Sequence, residues 1–174
     1  MGTKLNRATS HEALASLVVD ERRDIVFKNI IERIYLSMEG NLVYYDEMTR
    51  CKSRYFYDNV IKEKYKNKRC YVIFVDMNGL KRINDEKGHH YGTKLIKQVA
   101  TDLLSLERVK EVCRFGGDEF VLIGEEGVNI RQLENIEHIS YGIYLKRENE
   151  DVVSACKYAD EKMYMMKNRK GDGR

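Results

Sequence analysis

Glu111 to Gly124 reads EVCRFGGDEFVLIG, two short strands meeting at a tight turn. Val112, Arg114 and Phe115 lead into a tight turn, and Phe120, Val121, Leu122 and Ile123 lead out of it. Gly116-Gly117 reads as a two-residue hairpin connection, because such turns need positive φ and glycine has no Cβ to forbid it. Asp118 and Glu119 follow at once. Acids on a strand leaving a glycine turn are poor choices for stability alone. They suit a place where a metal ion or a phosphate must come close to the backbone.

The whole chain has 174 residues, 43% of them hydrophobic, enough for one domain of ordinary size with a core of its own. The net charge of +3 is too small to argue for nucleic acid. No run approaches the roughly 18 apolar residues of a membrane span, and the first residues lack the basic-then-apolar layout of a secretory signal. Cys51, Cys70, Cys113 and Cys156 are widely spaced and read as reduced thiols of a cytoplasmic protein.

Upstream of the turn, CYVIFVD (70–76) is a continuous apolar run with β-branched and aromatic residues, the mark of a central strand buried on both faces. Asp76 closes it. Strand ends open onto the crevice of an α/β sheet, so an acid there is a frequent ligand; a helix cap explains a lone aspartate equally well. NGLKRINDEK (78–87) reads as a short helix or turn with Leu80 and Ile83 inward, stopped by Gly88. Residues 91–106 form an amphipathic helix with Leu95, Ile96, Val99, Leu103, Leu104 and Leu106 on its inner face. Farther upstream, Ser53 is placed to cap a helix carrying Phe56, Val60, Ile61 and Tyr65, and an Asp46–Arg54 ion pair is expected to close the loop before it. Residues 1–40 read as a polar tail followed by a helix ending at Gly40-Asn41, a dimerisation or linker segment, with the remaining 41–174 as the main domain.

Downstream, EEGVNIRQLENIE allows only a turn or two of helix. HISYGIYL (138–145) alternates as a strand, and 150–167 is a helix packing through Val152, Val153, Ala155, Cys156, Ala159, Met163 and Met166. Lys167, Arg169 and Lys170 gather near its C-terminus, which suits the helix dipole and is also what a solvated helix end looks like.

Placing the hairpin beside the central strand brings Asp76 and Asp118 towards each other. Two carboxylates in one crevice are unfavourable unless a cation sits between them. Hard oxygen ligands point to Mg²⁺ or Mn²⁺ rather than zinc, and the glycine amides with Lys81 and Lys167 complement phosphate charge. This is the equipment of metal-assisted phosphoryl transfer.

Several ordered blocks carry a resemblance to the GGDEF-domain diguanylate cyclases. They are Arg114-Phe115-Gly116-Gly117-Asp118-Glu119-Phe120, Phe74-Val75-Asp76-Met77-Asn78, Lys81 with Ile83-Asn84-Asp85 and Gly88-His89, and Asp46-Glu47-Met48-Thr49 with Arg54. Ser140-Tyr141-Gly142-Ile143 and Ala159-Asp160 with Met163-Tyr164 and Lys167 complete the set. The resemblance implies an α/β (α+β) palm-like, ferredoxin-like sheet with an antiparallel hairpin, flanked by helices. It implies that two subunits of a homodimer each bind GTP. Each 3′-hydroxyl then attacks the other's α-phosphate, releasing pyrophosphate and a cyclic dinucleotide such as c-di-GMP. Carried over by position, Asp76, the Met77 carbonyl and Asp118 hold Mg²⁺, and Glu119 helps activate the hydroxyl. Asn84 reads guanine, Lys81 and Lys167 contact phosphates, and Gly116 and Gly117 form the phosphate turn.

The chain departs from that pattern in places. The family's second guanine-reading position, an aspartate, falls on Thr93, whose single hydroxyl loosens the preference for guanine and opens the site to ATP. The inhibitory product site (R-x-x-D) falls on Glu107-Arg108-Val109-Lys110, reversed in charge at both ends. The helix after the hairpin is cut to a stub at 129–136, the late arginine falls on Gly171, and Arg50 stands where glycine is usual. Two functions follow as alternatives: an active nucleotidyl cyclase, or a catalytically silent nucleotide-binding module that signals to a partner.

Overall fold

The structure, a computed structural model, describes residues 43–169. The tail and helix expected in 1–40, and the position of Gly171, lie outside the described residues. The described part is built around β1 (Cys70–Met77), the apolar run that reads as a central strand. It pairs antiparallel with β3 (Glu119–Gly124) on one side and β4 (Ile139–Lys146) on the other, and β3 pairs antiparallel with β2 (Val109–Arg114). The strand order is β2-β3-β1-β4.

Alternation along β1 feeds two cores. Val72 and Phe74, with Val121 and Ile123 of β3, face a layer made by α1 (54–64) and α4 (Val152–Arg169). Ile73, Val75 and Met77, with Phe120 and Leu122, face α3 (His89–Leu104). Each fully buried side chain of this size contributes about 1.5–3 kcal/mol, so covering both faces is what holds the sheet. Two side chains assigned to inner faces are outside instead: Leu104 is 49% and Val153 is 53% exposed. Both lie one position round the helix from a buried neighbour, Leu103 and Val152, which takes the inward place. Leu106 is buried, but beyond the end of α3.

Helix α1 starts where Ser53 accepts a hydrogen bond from the Phe56 amide at 3.2 Å, and its middle turn, Tyr57–Ile61, is π-helical. Helix α2 (Leu80–Lys87) and α3 are separated only by Gly88, whose φ of +83° allows the chain to turn sharply between two helices. Between β3 and β4 the expected stub is one 3₁₀ segment, Ile130–Asn135, with Leu133 alone fully buried. Helix α4 lies so close to β4 that a Cβ at Gly142 would come within 2.0 Å of the Ala159 carbonyl and 2.3 Å of the Met163 amide. At the opposite end of the sheet Lys146 is fully buried, its ammonium donating to the carbonyls of Lys66, Lys68 and Arg147 at 3.0 Å each. That buried cation ties the end of β4 to the end of α1. Among the described residues no helix is long and apolar enough to cross a membrane.

Candidate active site

The turn between β2 and β3 is wider than its glycines imply. Four residues, Phe115 to Asp118, connect the strands, and the amides of Phe115 and Gly116 both donate to the Glu119 carbonyl at 2.8 and 3.2 Å. Neither Gly116 nor Gly117 adopts positive φ; among the described residues the glycines that do are Gly79, Gly88 and Gly127. The two signature glycines serve by lacking bulk. A Cβ at Gly116 would meet a Glu119 carboxylate oxygen at 2.5 Å, so this acid folds back against the turn. A Cβ at Gly117 would meet nothing within 4 Å, so that side of the backbone is open.

Two arginines hold the turn. The Arg114 guanidinium donates to the Gly117 carbonyl at 2.7 Å and to both oxygens of Asp46 at 3.1 and 3.3 Å. Asp46 also accepts from the Thr49 amide (2.9 Å) and hydroxyl (2.7 Å). Burial pushes the Asp46 carboxyl up, but the Thr49 hydrogen bonds and the Arg114 charge outweigh it and hold the group below its ordinary value. Arg54 does not pair with Asp46 as its proximity in sequence implies. It pairs with Asp58 at 3.1 Å, lies over the Phe115 ring at 3.6 Å and donates to the Phe115 carbonyl at 3.3 Å. Phe115 in turn sets its ring edge-on to Tyr57 and Phe74. The carbonyls on either side of Gly116 are thus each fixed by a cation. Nothing local marks the Asp46–Arg114 pair, whose members are 68 residues apart in the chain.

The register decides which acid accompanies Asp76. Its partner across β3 is Glu119, not Asp118, and its partner across β4 is Ser140. By alternation from Phe74 and Val121, Asp76 and Glu119 both belong to the α1–α4 face. Asp118 sits one residue earlier, at the turn, where its carbonyl accepts from the Met77 amide at 3.0 Å. On the same face the last turn of α4 delivers Lys167, whose ammonium donates to Asp76 Oδ1; Lys167 is only 7% and Asp76 only 2% exposed. Ser140 donates to Asn78 at 2.8 Å, fastening the chain just after β1. Beside the turn a cleft of about 320 Å³ opens between α1 and α4, with Arg54, Tyr57, Phe115, Glu119 and Asp160 in its walls.

Asn84 and Thr93 lie on two helices that pack on each other, α2 and α3. The Asn84 Oδ1 is buried without a hydrogen-bond partner among the described residues, and a Cβ at Gly92, next to Thr93, would lie 1.9 Å from it. Lys81 is exposed on α2. Among the described residues no three His, Cys, Asp or Glu side chains form a group that could hold a metal ion by themselves. The donors present nevertheless suit a hard cation. Two carboxylates share one sheet face at the strand end, and one of them already holds a cationic group, the Lys167 ammonium. Mg²⁺ is commonly held by one or two carboxylates with the remaining ligands from water and phosphate.

Comparison with known proteins agrees with this geometry. The family described as diguanylate cyclase, GGDEF domain, matches residues 43–173. The probable diguanylate cyclase DgcJ of Escherichia coli is 33% identical over 114 residues, covering 56% of this chain and 23% of that protein. The cyclic di-GMP phosphodiesterase NbdA of Pseudomonas aeruginosa is 34% identical over 87 residues, covering 47% of this chain and 11% of that protein. The chain therefore spans only a small part of the length of these relatives. The coiled coil and GGDEF domain of DgcB from Caulobacter crescentus, solved with c-di-GMP, superposes with a TM-score of 0.70 at 20% identity, covering 88% of this chain and 96% of that one. The GGDEF domain of FimX from Pseudomonas aeruginosa gives a TM-score of 0.62 at 16% identity, covering 75% and 96%. With the family match running through β1, the held turn and α4, the chain belongs to the GGDEF-domain family.

Proposed function

We propose that this chain is a nucleotidyl cyclase, condensing two nucleoside triphosphates into a cyclic dinucleotide with release of two pyrophosphates. The observation that carries the reading is the cross-strand placement of Asp76 and Glu119 on one face, directly beneath the held glycine turn. In this reading residues 41–174 are the catalytic domain of a cytoplasmic protein, and 1–40 is a dimerising or linking segment. GTP is the substrate and ATP a second one, because Thr93 supplies one hydroxyl where the family has a carboxylate.

Asp76 and Glu119, with the Met77 carbonyl, would hold Mg²⁺ or Mn²⁺. A bound divalent ion would lower the pKa of the attacking hydroxyl and offset the charge of the departing pyrophosphate. The chain's own groups do the positioning. The open side of Gly117 lets a triphosphate approach the backbone of the turn, which Arg114 and Arg54 keep from moving. Lys81 and Lys167 bind phosphate oxygens. Asn84, whose acceptor has no hydrogen-bond partner among the described residues, recognises the base. This exchanges the roles expected of the two acids: Glu119, opposite Asp76, takes the ligand place expected of Asp118, and Asp118, at the turn, takes the proton of the 3′-hydroxyl that attacks the α-phosphate bound to the second subunit. Glu107 and Lys110 reverse the charges of the inhibitory product site, so product does not shut the enzyme off there.

A second reading is a silent nucleotide-binding module. It is favoured by relatives such as NbdA, whose name carries only a phosphodiesterase activity. The test is to incubate the purified chain with Mg²⁺ and GTP, ATP or both, and to identify products by mass. A cyclic dinucleotide with pyrophosphate is expected. Nucleotide binding without any product at any pairing would establish the silent module instead.

A further inference from the structure

The Lys167–Asp76 pair is unusual in its place. Both partners are almost wholly buried, at the position where the proposed function puts a divalent ion. A buried carboxylate without a compensating charge is strongly unfavourable, so a cation beside Asp76 stabilises the fold when nothing is bound. Lys167 is in the last turn of α4, where the helix carbonyls favour positive charge. Its four-carbon stem is flexible and its ammonium is a compact point charge, so it can move where an arginine fork would not.

We propose that Lys167 is a stand-in cation that keeps the metal position closed until a triphosphate arrives. In the free protein its ammonium occupies Asp76 Oδ1 and repels a dication. A triphosphate at the glycine turn offers Lys167 a stronger anionic partner. Lys167 transfers to it, and Asp76 becomes available to the ion. Metal and nucleotide binding are thereby coupled through one side chain, and by linkage each strengthens the other. This rests on the metal-and-triphosphate reading of the site, and it assigns Lys167 a role in the empty protein beyond contact with phosphate.

The experiment measures Mn²⁺ binding to the full chain by electron paramagnetic resonance, without nucleotide, in the natural protein, Lys167→Met and Lys167→Arg. Lys167→Met is expected to bind Mn²⁺ at least about tenfold more tightly, while Lys167→Arg, keeping the charge, stays close to the natural protein. Equal affinity in the natural protein and Lys167→Met overturns the proposal. A control with a non-hydrolysable GTP analogue separates the two levels. If the natural protein binds no Mn²⁺ even then, the site reading itself fails and the proposal fails with it. Should Lys167→Met not fold, the ¹⁵N resonance of the Lys167 ammonium in the natural protein decides. A protected signal in the free protein that shifts on adding Mg²⁺ and the analogue supports the transfer, and a signal unchanged by loading refutes it.

Discussion

Replacing Arg114 by methionine removes the guanidinium that ties the glycine turn to Asp46 while keeping much of the buried stem. Arg114 is 13% and Asp46 26% exposed at the side chain, so water reaches the pair only in part. Two charge-assisted contacts are lost, one to the Gly117 carbonyl and one to Asp46. Each such bond contributes about 1.5–3 kcal/mol. The stranded Asp46 keeps both Thr49 hydrogen bonds, and the guanidinium's own desolvation cost disappears, so the net loss falls to about 2–3 kcal/mol. Asp46→Asn costs less, about 1 kcal/mol, because an amide oxygen still accepts from Thr49. The two changes act on one contact, so the double variant should lose about 1 kcal/mol less than the sum of the singles. The chain has no tryptophan, so urea unfolding is best followed by far-ultraviolet circular dichroism. Additive losses, with a coupling below about 0.3 kcal/mol, would show that the pair does not hold the turn.

Three further expectations follow from single residues. Arg50 stands where the family has glycine and has a φ of +63°; left-handed backbone costs an ordinary residue about 1–2 kcal/mol, more than the unfolded-state entropy glycine adds, so Arg50→Gly should stabilise by about 0.5–1 kcal/mol in the same unfolding assay. Gly142→Ala should destabilise by about 3 kcal/mol or more, because its Cβ meets the backbone of α4 and no side-chain rotation relieves the contact; a melting temperature near that of the natural protein would contradict the close packing. Asp46 is held below its ordinary value, so its contribution is present above the unfolded-state pKa of about 3.9 and lost as pH falls through the folded value; denaturant titrations from pH 6 to pH 2 should show a shallower acid loss in Asp46→Asn, with Asp58 and Asp151 still titrating in both.

What the sequence made legible is what depends on near neighbours. The run 70–76 could only be a strand covered on both faces, and it is. Ser53 caps its helix, and the stretch after Gly124, which allows only a turn or two of helix, holds one 3₁₀ segment. What stayed hidden depends on register and on distant partners. A shift of one residue moves a side chain to the opposite face of a sheet, and that single step separates Glu119, on the face of Asp76, from Asp118 at the turn. Asp46 had a nearby arginine in Arg54 and took a distant one in Arg114. Lys167 reads in the sequence as a phosphate contact or a solvated helix end; its buried pairing with Asp76 is hidden because the partner lies on another element, 91 residues away. Gly116 and Gly117 suggested positive φ, but the turn is long enough to close without it, and they are small so that Glu119 can fold back and the outer side stays open.

In the proposed function Asp76 and Glu119 act together on one ion over a triphosphate. The most direct measurement is Mn²⁺ affinity in the presence of a saturating non-hydrolysable GTP analogue, compared for the natural protein, Asp76→Asn and Glu119→Gln. Each substitution should weaken Mn²⁺ binding by at least about tenfold, with the fold intact by circular dichroism. Affinity unchanged in either variant would contradict a shared ion at this strand end.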